Sequence, residues 1–145
     1  MGAFHPEPIQ PLGPEECWAL LEGVPVGRLV VVMAGEPDVF PVNFAVDDRG
    51  LVVRTDIGMK FFAAEQRGRA ALEVDHWDAE TGCTVVARGT LRVLTDPAER
   101  AHAESLDLHP WLDTPKAHLI RLDVEDITGR RFTLNDAARA AQAGG

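Results

Sequence analysis

The chain has 145 residues, 46% of them hydrophobic and 26% charged, with a formal net charge of −9. That is the length of one domain, enough to bury roughly 68–70% of its unfolded surface without staples. The acidic balance argues against general nucleic-acid binding, which needs a net positive face, and no apolar run approaches a membrane span.

The first twelve residues carry Pro6, Pro8 and Pro11 and read as an extended N-terminal arm. Pro14 suits the first turn of a helix whose stripe is Cys17, Leu20 and Leu21 and which ends near Gly23 and Pro25. Arg28 to Met33 reads as a buried strand, and the stretch from Ala34 to Asp38 as a turn. Phe40, Val42, Phe44 and Val46 then alternate with Pro41, Asn43 and Ala45, the pattern of a strand with one apolar face. A turn at residues 47–50 joins it to Leu51-Val52-Val53, so these strands are expected to form an antiparallel meander. A helix is expected around residues 59–67, with Met59, Phe62 and Ala63 as its apolar stripe.

Ala70, Leu72 and Val74 mark a fourth strand, residues 77–82 a polar loop, and Val85 to Val93 a long fifth strand. Asp96-Pro97-Ala98-Glu99 starts a helix running to about Leu106: a capping Asp, Pro at the first helical position, and Glu three residues after the cap. His118, Ile120, Leu122 and Val124 mark the last strand, which residues 127–132 extend or fold back upon. The Ala- and Gly-rich residues 135–145 read as a flexible tail or frayed helix. The sum is a mainly β (α+β) domain over residues 13–134: about six antiparallel strands in a small barrel, with short peripheral helices.

The stretch Arg54-Thr55-Asp56-Ile57-Gly58-Met59-Lys60 carries the most chemistry. It places a basic group, a hydroxyl and a second basic group where a strand hands over to a helix, with Gly58 at the expected sharp turn. Free N–H groups at a helix start favour phosphate, and Arg54, Thr55 and Lys60 could close on one point. Two readings stand side by side: an anchor for a phosphorylated cofactor, or solvated basic residues at a helix start.

An ordered series of motifs resembles the pyridoxamine 5′-phosphate oxidase-like flavoproteins, with the FMN-binding split β-barrel, and within them the small bacterial branch that includes nitroimidazole-resistance (Nim-type) proteins. It runs through Glu16-Cys17-Trp18, Val26-Gly27-Arg28-Leu29, Pro41-Val42-Asn43-Phe44, Arg54-Thr55 with Gly58 and Lys60, Leu72-Glu73-Val74-Asp75, and Ile127-Thr128-Gly129-Arg130-Arg131. The resemblance implies a six-stranded antiparallel split β-barrel and a homodimer with FMN at the subunit interface. It implies that Arg54, Thr55 and Lys60 hold the flavin phosphate and that Pro41, Val42 and Asn43 line the ring. Trp111 is a candidate aromatic for the wall of the ring pocket. It also implies an oxidoreductase acting on a small organic substrate, in which the flavin carries the redox chemistry and no side-chain nucleophile is needed. The fold also hosts users of the deazaflavin F420 and, less often, of haem, so an F420-dependent reductase and a non-catalytic flavin- or haem-binding module stand as alternatives. The Arg- and His-containing C-terminal motif that grips substrate in true pyridoxamine phosphate oxidases has no counterpart here, since Arg130 and Arg131 stand in a different setting. Vitamin B6 oxidation is therefore not expected.

Other groups carry less. Asn43 sits on the less apolar face of its strand and could read a flavin edge or bond a neighbouring strand. Arg28 either reaches the site or pairs with an acidic neighbour, and Glu73 and Asp75 share a strand face. Trp77 falls in a loop, either as a flap or as a partly exposed ring. His5, His76, His102 and His109 lack metal-ligand spacing, and His118 reads as a core or interface residue. For a haem variant, His102, His109 and His118 are the axial candidates. Cys17 and Cys83 have no CxxC spacing and read as reduced thiols. With no signal pattern in its first residues, a cytoplasmic location is expected.

Overall fold

The computed structural model describes residues 7–108 and 118–144. The elements are β1 (Ile9–Leu12), α1 (Pro14–Glu22), β2 (Val26–Met33), β3 (Glu36–Asn43), β4 (Ala45–Asp47), β5 (Gly50–Thr55), α2 (Met59–Glu65), β6 (Arg69–Trp77), β7 (Thr81–Val93), α3 (Pro97–Glu104), β8 (His118–Thr133) and α4 (Asp136–Ala143). One antiparallel sheet runs β3-β2-β6-β7-β8-β5-β4, with β1 added along β8. It curls into a half-barrel, and β3 comes back beside β5 across the open split.

Local signals account for most of the elements. Asp96 caps α3, its carboxylate accepting from the Glu99 N–H at 3.0 Å, and Pro97 follows at the first helical position. Asn135 caps α4 in the same way, accepting from the Ala138 N–H at 2.8 Å, so the chain after Leu134 is helical. The two early hairpins turn on successive residues with positive φ: Ala34 at 51° and Gly35 at 80°, then Asp48 at 40° and Arg49 at 59°. Turns of this kind match the twist of the strands they join.

The strand count and order differ from the sequence expectation. The alternating stretch from Phe40 breaks at buried Phe44, giving β3 and the three-residue β4, and Ile9–Leu12 pairs with β8 as an added strand, so eight strands replace six. The first strands are no simple meander either, because β5 pairs with β8 and not with β3. A period-two pattern states which residues face inward and is silent on which strand lies alongside. Residues 127–132 continue β8 to 16 residues, and Trp77 ends β6 as a strand residue.

The main core fills the half-barrel with Leu21, Leu29, Val31, Leu51, Leu72, Val85, Leu91, Ile120 and Leu122, each 2% exposed or less. A smaller core of Val52, Leu94, Ala103 and Leu119 lies on the other face of the sheet, under α3. Helix α2 buries Ala63 and Ala64, while Met59 and Phe62 stand 42% and 46% exposed. The expected stripe is thus rotated: two small residues let the helix sit close to the sheet, and its large apolar residues face out.

Candidate functional site

The strand–helix junction forms as expected, with β5 ending at Thr55 and α2 beginning at Met59. Two details change its chemistry. Gly58 has φ −173°, an extended backbone open to any residue, so the turn does not require glycine there; what glycine leaves is open space, with nothing within 4 Å of a would-be β-carbon. Helix α2 has only seven residues. Its aligned dipoles are few, so side chains must supply the charge of any anion site.

Neighbours along β5 face opposite ways. Leu51 and Val53 enter the main core and Val52 the smaller core under α3. Thr55 therefore lies on the main-core side, 1% exposed, its hydroxyl donating to the Asp56 carbonyl at 3.0 Å. Arg54 lies on the α3 side and meets Glu104 with both arms of its guanidinium: Nη1 donates to Oε1 at 3.4 Å, and Nη2 pairs with Oε2. That guanidinium holds the Glu104 carboxyl below the usual carboxylate range. Lys60 places its ammonium over the Phe40 ring, 4.5 Å from the centroid, which ties α2 to β3. His118, the cross-strand partner of Thr55, packs its ring against Phe61 at 4.7 Å.

On β3, Val42 is buried at 6% exposure, Pro41 is exposed and Asn43 half-buried. The Asn43 amide donates to the Pro25 carbonyl at 3.3 Å. Asn43 also lines a cleft of about 390 Å³ with Leu21, Val24, Phe44, Leu106 and Asp107, at the small end of ligand-pocket sizes. The fold thus gathers Lys60, Phe40, Val42 and Thr55 around the split. It sets Asn43 and Pro41 on the other face of β3 and turns Arg54 toward α3. Trp111 lies outside the described residues, as do His5 and His109. Phe40 and Glu104 escaped the sequence reading. The alternation of β3 marked Phe40 as apolar, but nothing local pointed to Lys60 above it or linked Glu104 to Arg54.

The remaining candidates resolve as structural pairs. Arg28 meets Asp75 at 2.6 Å and Glu73 at 3.2 Å. Glu73 Oε1 is buried and has no hydrogen-bond partner among the described residues, being close to Arg28 but poorly aligned with it. Burial pushes the Glu73 carboxyl up, Arg28 draws it back in part, and Asp75 adds to the rise. Trp77 stacks on Phe132 with ring centroids 5.7 Å apart. Arg131 reaches Glu16 at 3.5 Å. His102 Nε2 lies 2.9 Å from Asp47 Oδ1. No group of three or more His, Cys, Asp or Glu among the described residues could hold a metal ion.

Comparison with known proteins agrees with this architecture. The FAD binding protein of Mycobacterium smegmatis is 35% identical, with a TM-score of 0.75 over 86% of this chain and 98% of that one. An FAD-binding protein of Mesorhizobium loti is 25% identical, with a TM-score of 0.73 over 88% and 98% of the two chains. A Bacteroides thetaiotaomicron protein named for 5-nitroimidazole antibiotic resistance shares the fold, with a TM-score of 0.69 over 92% and 98% at 14% identity. The pyridoxamine 5′-phosphate oxidase family model matches residues 13–131, which takes in the chain from α1 to within two residues of the end of β8, with the whole β5–α2 junction. The ordered motifs, the curled antiparallel sheet and this match together place the chain in the pyridoxamine 5′-phosphate oxidase-like family of split-barrel proteins.

Proposed function

We propose that the protein binds FMN at the split of its barrel and moves hydride or electrons between that flavin and a small organic molecule. The observation that carries this reading is the Lys60 ammonium held over Phe40, with buried Thr55 on the core side of β5 and Val42 on the strand across the split. The donor set fits a flavin phosphate: an ammonium, a hydroxyl and, once it leaves Glu104, a guanidinium, beside the open space at Gly58. The bound flavin would supply the redox chemistry. The chain's own residues bind and orient: Lys60 and Thr55 at the phosphate and Val42 as an apolar contact, while Asn43, on the opposite face of β3, holds the Pro25 carbonyl. The FAD-binding proteins of M. smegmatis and M. loti support a flavin in this fold, so FAD is the first alternative to FMN. F420 is the next, since it also presents a phosphate.

A homodimer completes the proposal, with the partner subunit closing the ring pocket. The exposed side chains Ile57, Met59 and Phe62 beside Lys60 support it, being large apolar residues at 64%, 42% and 46% exposure next to the site. The reading includes a cytoplasmic location, tested by cell fractionation. No helix among the described residues is long and apolar enough to cross a membrane.

The test is the visible absorption spectrum of the purified protein, with mass spectrometry of what heat releases and sedimentation for the mass of the particle. Released FMN in a dimer supports the proposal. Released FAD or F420 keeps the site and changes the cofactor, and a haem spectrum overturns it. A colourless protein that ignores added FMN, FAD and F420 also overturns it.

A further inference from the structure

We propose that Glu104 competes with the flavin phosphate for Arg54, so that the cofactor binds only as this ion pair opens. The inference rests on the flavin reading above and adds a control element to the same site. Arg54 and Thr55 are neighbours on β5 and face opposite sides of the sheet, so the guanidinium cannot join the Thr55 hydroxyl and Lys60 while it is turned to α3. Glu104 takes it with both carboxylate oxygens. A carboxylate and a phosphate offer the same paired oxygens to the guanidinium fork, so they bid for one group. The pair can exchange: the Arg54 side chain is 26% exposed and that of Glu104 48%. Arg54 is the penultimate residue of its strand, four residues before Gly58, so its long side chain starts close to the junction.

Glu104 is also the last residue of α3, where the negative end of the helix disfavours a carboxylate. Arg54 is its direct ion-pair partner there, with a weaker attraction from Arg100. Once Arg54 turns to a phosphate, the freed carboxylate remains nearby and opposes the second negative charge. Both effects have one sign, and Glu104 weakens flavin binding through Arg54. Because the pair is partly exposed and therefore weak, the gain on removing it is modest, about two- to fivefold in affinity.

The experiment titrates the 145-residue protein, freed of flavin, with FMN and follows flavin fluorescence for E104Q, E104A, R54A and the E104Q/R54A double variant. The expected result is about two- to fivefold tighter binding in E104Q, the same direction in E104A, weaker binding in R54A, and no gain from E104Q once Arg54 is gone. Weaker binding in both Glu104 variants overturns the inference, since Glu104 would then orient Arg54 for the phosphate. A gain of equal size with and without Arg54 also overturns it, because the effect would be general charge. In both cases FMN still binds and the flavin reading stands. Absence of FMN binding in the wild type removes that reading and the competition together.

Discussion

Lys60 rests on the ring of Phe40, its ammonium 4.5 Å from the centroid, and so links the first turn of α2 to the strand that returns across the split. The ring fixes the side chain over β3 through the attraction of a cation to an aromatic face. Replacing Lys60 with Ala should weaken FMN binding by at least about tenfold, the lower end of what a charge-assisted hydrogen bond contributes. Phe40→Leu should weaken it by about two- to fivefold, through loss of the cation–π contact alone. Fluorescence titration checks both, and an unchanged affinity in Lys60→Ala would remove Lys60 from the phosphate site.

A chain of charges ties α3 to the sheet. Arg121 donates to Asp47 at 3.0 Å and to Asp123 at 2.9 Å, Arg92 to Asp123 and Glu99 at 2.6 Å each, and His102 meets Asp47. The His102 hydrogen bond, and Arg121 after it, hold the Asp47 carboxyl below its ordinary value against the opposing effect of burial. Burial pushes Asp123 upward, but Arg92 and Arg121 together outweigh it and leave that carboxyl low as well. Groups whose folded pKa is depressed contribute stability above the unfolded pKa and lose it as pH falls through the folded one. The melting temperature should therefore fall steeply below about pH 4. Asp47→Asn should flatten that fall and lower stability at pH 7 by about 2 kcal/mol, because it weakens the partner of a largely buried guanidinium. A melting curve with the same acid slope in both proteins would exclude Asp47 from the effect.

The same network explains one glycine. A β-carbon at Gly50 would fall inside the Arg121 guanidinium, which is held in place by Asp47, Asp123 and the Asp48 carbonyl. Gly50→Ala should destabilise the fold by about 1–3 kcal/mol, the usual result of overpacking a locked side chain. Chemical denaturation measures it, and a loss under 0.5 kcal/mol, the scale of a neutral surface change, would show that Arg121 moves freely.

Glu73 has the opposite sign. Its carboxyl is pushed up by burial, and one oxygen lacks a hydrogen bond among the described residues. A carboxyl with a raised folded pKa destabilises the protein when charged, and stability returns as pH falls through that pKa. Glu73→Gln should raise the melting temperature at pH 7 by about 1–3 °C, with Arg28 keeping Asp75 as its partner. The gain should shrink near pH 4. A lower melting temperature at pH 7 would mean that the Arg28 attraction outweighs the cost of burial.

Much of this protein was legible in the sequence because its signals are local. Asp96, Pro97 and Glu99 specify the start of α3 through groups three residues apart, and Val85, Ala87, Gly89 and Leu91 mark the inner face of β7 by alternation alone. The order of short motifs from Glu16 to Arg131 was enough to indicate the family. The tertiary structure decided the rest. It placed β5 against β8, broke the third strand at Phe44, turned Met59 and Phe62 outward and set Phe40 under Lys60. It also gave Arg54 a partner 50 residues away. Caps and alternation depend on neighbours within one turn or one strand, whereas Arg54 meets Glu104 only because sheet order and register bring α3 over the end of β5. That Arg54 is turned to α3 and paired follows from that register.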